Sequence, residues 1–317
     1  MFCGVKEKIK LLRKQNDFNT NEAVEHIQYI RLACSRCIHN NSKEIGSNCG
    51  SFGFVEVFKR IFCIHWRENL FRLKSNQKVL DNMEILTDTL RKLSIVSKEI
   101  CVKILEVHLH SDLVDYLRSP FIKVHLLHES SMLNFVILFL RIIRNVANVS
   151  ADAKRALYEC NVVDVLQRFC LDKLELVSCF AIITQSYIVD DGTVQVKNQM
   201  IIDILFDCLG EAVNGKSRYS VTFDVLEILK DINKLAANGA SKELMLPADA
   251  KKLYAKLLQS DRLKEEQEEA ARGLRILDFE SRVDNGKTVT SKGGFSHFGI
   301  HNRYMSWNKL RETSSFV

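Results

Sequence analysis

Apolar residues recur three and four positions apart along most of this chain, the spacing that lines one face of an α-helix. The clearest stretch runs from 140 to 169. An apolar helix over 140–150 gives way to a small polar turn, a short helix spans 151–161, and a further apolar helix begins at Val162. Asn161 is predicted to take the left-handed conformation that closes a helix, a place more often held by glycine.

The same cadence recurs. Residues 90–97 lead into 98–106 and then 113–117, and residues 232–239 lead into 242–245 and then 252–258. Weaker copies run from 29–33 to 54–58 and from 180–186 to 200–205, with a half-copy at 270–277. Leu32, Leu93, Val146, Ser186, Leu235 and Leu277 fall at equivalent places, mostly at steps near or above the roughly 40–47 residues of an armadillo or HEAT repeat. The longer first step predicts an insertion at about 66–78.

Composition agrees with a helical chain. Among 317 residues there are 2 prolines and 13 glycines, too few to punctuate an all-β fold. The net charge of +6 is modest and no dense basic run occurs, so no nucleic-acid partner is expected. The apolar stretch 135–143 is too short to cross a bilayer and contains Arg141, so no membrane association is expected. Ten cysteines spread through the chain, behind a charged N-terminus, predict reduced core thiols and a cytoplasmic setting.

At Arg144-Asn145-Val146-Ala147 the chain resembles the Ser-Asn-Leu-Ala element of the armadillo family, and 153–161 resembles the stretch that there ends in Glu-Ala-Gly. The resemblance covers roughly 21–280. It implies an all-α, armadillo-type right-handed superhelical solenoid of three-helix repeats over 1–281, with irregular early repeats. A flexible tail or incomplete repeat follows over 282–317. Each third helix would line a concave groove. Segments 236–244, 252–259 and 265–277 also resemble the armadillo region that precedes a TIR domain in invertebrate innate-immune proteins. Such TIR domains signal by self-association and can cleave NAD. No βαβ alternation appears in the 317 residues, so the chain would be the regulatory or binding part.

If Asn145 is the family's groove asparagine, the equivalent positions are Arg31, Lys92, Gln185, Lys234 and Ile276. Three of these six positions are basic, which predicts an acidic or extended protein segment as partner, with self-association as a further option. They also read as ordinary solvated helix residues. Cys34, Cys37, Cys49 and Cys63, with His39 and His65, have the residue types of a zinc site. Cys34 and Cys37 share one helix face, however, and no second close pair follows, so buried thiols are the primary reading and no metal or other cofactor is expected. Ser315 and Val317 match a C-terminal ending that PDZ domains bind. The acidic run 265–269 reads as a helix start.

No phosphate loop, nucleophile elbow or catalytic carboxylate pair stands out, so no enzyme is expected. The leading expectation is a protein-binding scaffold or adaptor, with an innate-immune or TIR-linked role. Two alternatives stand beside it: an armadillo-type chaperone for unfolded or motor-protein clients, and a nucleotide-sensing regulatory solenoid of a TIR-type NAD hydrolase system.

Overall fold

The computed structural model describes residues 2–15, 18, 20–39, 43–67, 77–125, 130–170, 174–189, 199–215, 217–218, 221–237, 248–259 and 263–277. These belong to one compact unit, Met1–Phe279. The tail expected over 282–317, with Ser315 and Val317, lies outside the described residues, as does most of the expected insertion at 66–78.

The chain opens with α1 (Phe2–Lys14) and α2 (Asn21–His39), followed by α3 (Lys43–Ser51), α4 (Phe54–Arg67) and α5 (Gln77–Val96). The next group is α6 (Lys98–Glu106), α7 (Leu109–Arg118), α8 (Pro120–His125) and α9 (Ser130–Ala147), and then come α10 (Ala151–Glu159), α11 (Val162–Cys170) and α12 (Glu175–Ile188). The described part ends with α13 (Gln199–Val213), α14 (Val225–Ala236), α15 (Ala248–Gln259) and α16 (Lys264–Ile276). A hairpin of two-residue strands, Ser217–Arg218 and Val221–Thr222, departs from the purely helical expectation without enlarging the core.

Local chemistry sets the helix ends. Ser97 and Ser150 sit in extended backbone and accept the amide N–H of Ile100 and Ala153, so they cap α6 and α10. Asp224 accepts the N–H of Glu227 and starts α14. Asn161 has φ 54°, so the left-handed turn expected between α10 and α11 is present.

Packing makes the repeat visible. Helices α2, α5, α9, α12, α14 and α16 lie in that order, each against the next, as the rungs of one ladder. The short helices α3, α6 and α10 stack beside it, as do α4, α7 and α11. The order of two shorter helices and then a longer one is complete at α3–α5, with α6, α7 and α9, and at α10–α12. The last two rungs each follow a single partner helix among the described residues. This is an all-α, armadillo-like solenoid whose regularity fades toward its C-terminal end. Between α4 and α9 the core is aromatic, with the rings of Phe62, Trp66, Tyr116 and Phe139 meeting edge-on or tilted at 5.2–5.8 Å. Trp66, at the end of α4, thus packs against this core.

Candidate functional site

Burial gives the register of the rungs. Leu90, Leu93 and Ser94 on α5 are buried, as are Ile143, Val146 and Ala147 on α9, and Ile232, Leu235 and Ala236 on α14. On α2 the matching triplet is Ile30, Ala33 and Cys34, while Leu32 is 49% exposed. The repeat in α2 is thus set one residue later than the spacing of leucines suggested. Ala33 takes the core place given to Leu32, so the position one before it, equivalent to Lys92 and Asn145, is Leu32 rather than Arg31. Arg31 falls instead in the column two residues before the core position, together with Arg91 and Arg144. A lone leucine in a short-period pattern is a weak register mark, because a helix accepts an alanine in the core nearly as well.

The other expected groove residues lie on the rungs but are already engaged. The Nζ of Lys92 pairs with Asp88 at 2.8 Å. Asn145 donates from Nδ2 to the Ser94 hydroxyl at 2.8 Å and accepts from Arg144. Gln185 accepts a weak bond from the Cys170 thiol, and the Lys234 ammonium sits 5.7 Å from the centre of the Tyr187 ring. Ile276 is half-buried.

Beneath them lies a feature the sequence did not announce. Arg91, Arg141 and Arg144 are all but inaccessible, at 1%, 0% and 3% exposure, and converge on Glu227. Arg91 donates to one Glu227 oxygen at 2.7 Å and Arg141 donates from Nε to the other at 2.8 Å. Arg141 Nη2 and Arg144 Nη2 complete the shell, and Arg144 Nη1 reaches Asp231. The Arg141 guanidinium also stacks over Phe180 and Phe223, at 5.7 and 5.4 Å. Asp88 closes the far side through Arg91, with Oδ1 2.9 Å from Nε.

The electrostatics follow from this geometry. Burial opposes the ionisation of Glu227, but Arg141, Arg144 and Arg91 outweigh it and hold the carboxyl well below its usual range. Asp88 is likewise held to about 2 by Arg91 and Lys92 against burial. Asp231 differs, because burial pushes it up to about 7 and Glu227 adds to that, while Arg144 pulls the other way. Its Oδ1 has no hydrogen bond of ordinary geometry, although the Tyr187 hydroxyl is near enough to favour the charge, so its negative charge is only partly compensated.

Above the network opens a cavity of about 1060 Å³ to which all six rungs contribute: Ser35 of α2, Lys92 of α5, Asn145 of α9, Tyr187 of α12, Lys230 of α14 and Glu269 of α16. Its cations are Lys92, Lys98, Arg144 and Lys230. Carboxylates come from Glu44, Glu99, Asp224, Glu227 and Asp231, and from Glu265, Glu266, Glu268 and Glu269 of α16. The acidic run thus both starts a helix and forms one wall of the cavity.

The cysteines divide. Cys34 and Cys49 are buried with their Sγ atoms 3.9 Å apart. Their mutual hydrogen bond and burial push the Cys34 thiol far above its ordinary value, which leaves it protonated. Cys63 is half-buried on α4, and the side chain of Cys37 lies outside the described residues. Among the described residues no three metal-ligating side chains come together, so the set considered for zinc is not assembled there.

The missed network left a faint signal. Arg141 interrupts an apolar run, and Glu227 and Asp231 lie four apart on the apolar side of α14. Their partners are 86 and 136 residues away, beyond the reach of any local pattern.

No protein-family model matches the chain, and no curated protein matches it. Several solved structures are similar to the chain. One is an engineered protein, at 17% identity and TM-score 0.44, covering 87% of this chain and 96% of the other. Another is a designed armadillo repeat protein in complex with the peptide (KR)4, at 15% identity and TM-score 0.44, covering 86% and 99%. A second designed armadillo repeat protein shows 16% identity and TM-score 0.43 over 86% and 99%. No helix among the described residues is long and apolar enough to cross a membrane.

Proposed function

We propose that this chain is a non-enzymatic scaffold that binds an extended segment of another protein across its ladder helices. The observation that carries the reading is that every rung, while burying one side in the common core, also lines the same cavity of about 1060 Å³. At that size it matches or exceeds the pockets that enclose small ligands, and its lining mixes charged with apolar side chains. A surface supplied by successive repeats suits a chain-like ligand, since each rung meets the next part of the segment.

The lining revises the expected ligand charge. The carboxylates of α16 disfavour a uniformly acidic segment, whereas Lys92, Lys98 and Lys230 favour acidic groups nearer the middle rungs. The proposed ligand is therefore of mixed charge, neutral or basic where it passes α16. The same α16 carboxylates repel phosphates, which weighs against a nucleotide as occupant. A TIR-linked setting rests on the resemblance at 236–277 alone and belongs to this proposal as its finer part.

The test is a selection from a random peptide display library against the full chain. The enriched peptides are then titrated against the wild type and a Lys92→Glu, Lys230→Glu double variant whose helicity and melting temperature match it. The reading predicts enriched peptides whose affinity falls several-fold in the variant and weakens with salt. Peptides that bind both chains equally at every salt concentration would place the working surface elsewhere.

A further inference from the structure

The column of arginines two residues before the buried core position has three members on the first three rungs: Arg31, Arg91 and Arg144. Arg91 and Arg144 show what this position does in this fold. Each sends its guanidinium to a carboxylate delivered by another helix, Glu227 of α14, and Arg144 also reaches Asp231. The arginine fork suits this task because it presents paired donors in one plane. Apolar cover accompanies the pair, since the Tyr187 ring centre lies 5.9 Å from the Arg144 guanidinium.

Arg31 is the copy without an internal occupant. It is exposed, and no hydrogen bond or ion pair reaches it among the described residues. Next to it in the chain is Leu32, 49% exposed, whereas Tyr29, two residues before Arg31, lies on the far side of Leu32 with its hydroxyl end toward Gly4 of α1. Ser35, one turn beyond, lines the cavity. A guanidinium with no partner among the described residues, an exposed leucine next to it and continuity with the cavity thus coincide on the first rung.

We propose that the first rung is a docking site for a partner segment that brings a carboxylate to Arg31 and an aliphatic side chain to Leu32. The inference rests on the groove reading above and adds the partner's chemistry at one end. The pairing on the inner rungs is the template: a carboxylate on the guanidinium, with apolar contact alongside. On an exposed rung the same pairing is weaker and more salt-sensitive, because water screens it.

The experiment uses the full chain and three fluorescein-labelled eight-residue probes with Gly-Ser ends, centred on Leu-Glu-Glu-Leu, Leu-Gln-Gln-Leu or Ser-Glu-Glu-Ser, read by anisotropy. The Leu-Glu-Glu-Leu probe is expected to bind most tightly. Arg31→Ala should weaken it by roughly two- to fivefold, the range set by one exposed charge pair. Arg31→Lys should restore part of the loss, Leu32→Ser should weaken it similarly, and neither Arg31→Ala nor Arg31→Lys should alter the Leu-Gln-Gln-Leu probe. Binding of the Leu-Glu-Glu-Leu probe that is no tighter than the others, or that is indifferent to Arg31→Ala, overturns the proposal. If that binding is instead lost on Lys92→Glu, Lys230→Glu while Arg31→Ala leaves it intact, the first rung is refuted and the groove reading survives.

Discussion

Glu227 is the residue on which the inner face depends most. Its two oxygens take donors from three guanidiniums, so replacing it leaves those charges buried without their shared counter-ion. Removing one partner of a buried ion pair costs about 3–5 kcal/mol. Glu227→Gln, which keeps the shape and removes the charge, is expected to lose stability on that scale in urea melts. A loss below about 1 kcal/mol would mean that the arginines find other partners. Asp231 gives a pH signature of opposite sense. Its folded value of about 7 lies above the value near 3.9 of an unfolded aspartate. The protonated form is therefore favoured by folding, and its stabilising contribution, full below about pH 4, is lost as pH rises through 7. Burial lowers the value of His110, so it works in the opposite direction between pH 5 and 7. The informative quantity is thus the difference between wild type and Asp231→Asn. Measured by thermal melts from pH 5 to 8, the variant should gain on the wild type as pH rises, and a constant difference would contradict the assignment.

Helix ends were the most legible part of this fold, because their chemistry is local. Ser150 caps α10 by accepting the N–H of Ala153 at 3.1 Å, and Asn161 supplies the left-handed turn at its far end. Ser150→Ala is expected to cost about 1 kcal/mol, read as a lower midpoint in urea at unchanged slope; a cost within error would show that the cap is replaced. The repeat order was legible for the same reason, since amphipathic spacing records which side of each rung is buried. The register of α2 was not, because Leu32 and Ala33 are both apolar and only packing shows which one enters the core. The arginine network was illegible for a different reason. Arg91, Arg141 and Glu227 lie on three rungs, and a charge that will be buried looks in sequence like one that will be solvated.

At the scale of the whole unit, the network alters how a repeat array should behave. In an ideal solenoid each rung touches only its neighbours, so stability divides among local terms and the ends fray first. Here Arg91 of α5 bonds to Glu227 of α14, two rungs beyond the neighbouring α9. This link couples the early and late rungs across the inner face. In a Trp307→Phe background, which leaves Trp66 as the one tryptophan, unfolding should consequently follow one transition by circular dichroism and by tryptophan fluorescence alike. In Glu227→Gln the two probes should separate as α14 and α16 loosen before α4 and α5. Coincident transitions in both proteins would show that the link is not what holds the rungs together.

The claim that organises the rest is that the ladder's inner side, fed by all six rungs, is the surface that receives a protein segment. Hydrogen–deuterium exchange of the full chain, with and without a peptide selected from the display library, tests it most directly. The account predicts added protection on α5, α9 and α14, reaching α2 or α16 according to the length of the peptide, while α4, α7 and α11 exchange as before. Protection confined to α4, α7 and α11 would contradict it, because the ligand would then be held by the side of the solenoid away from the cavity.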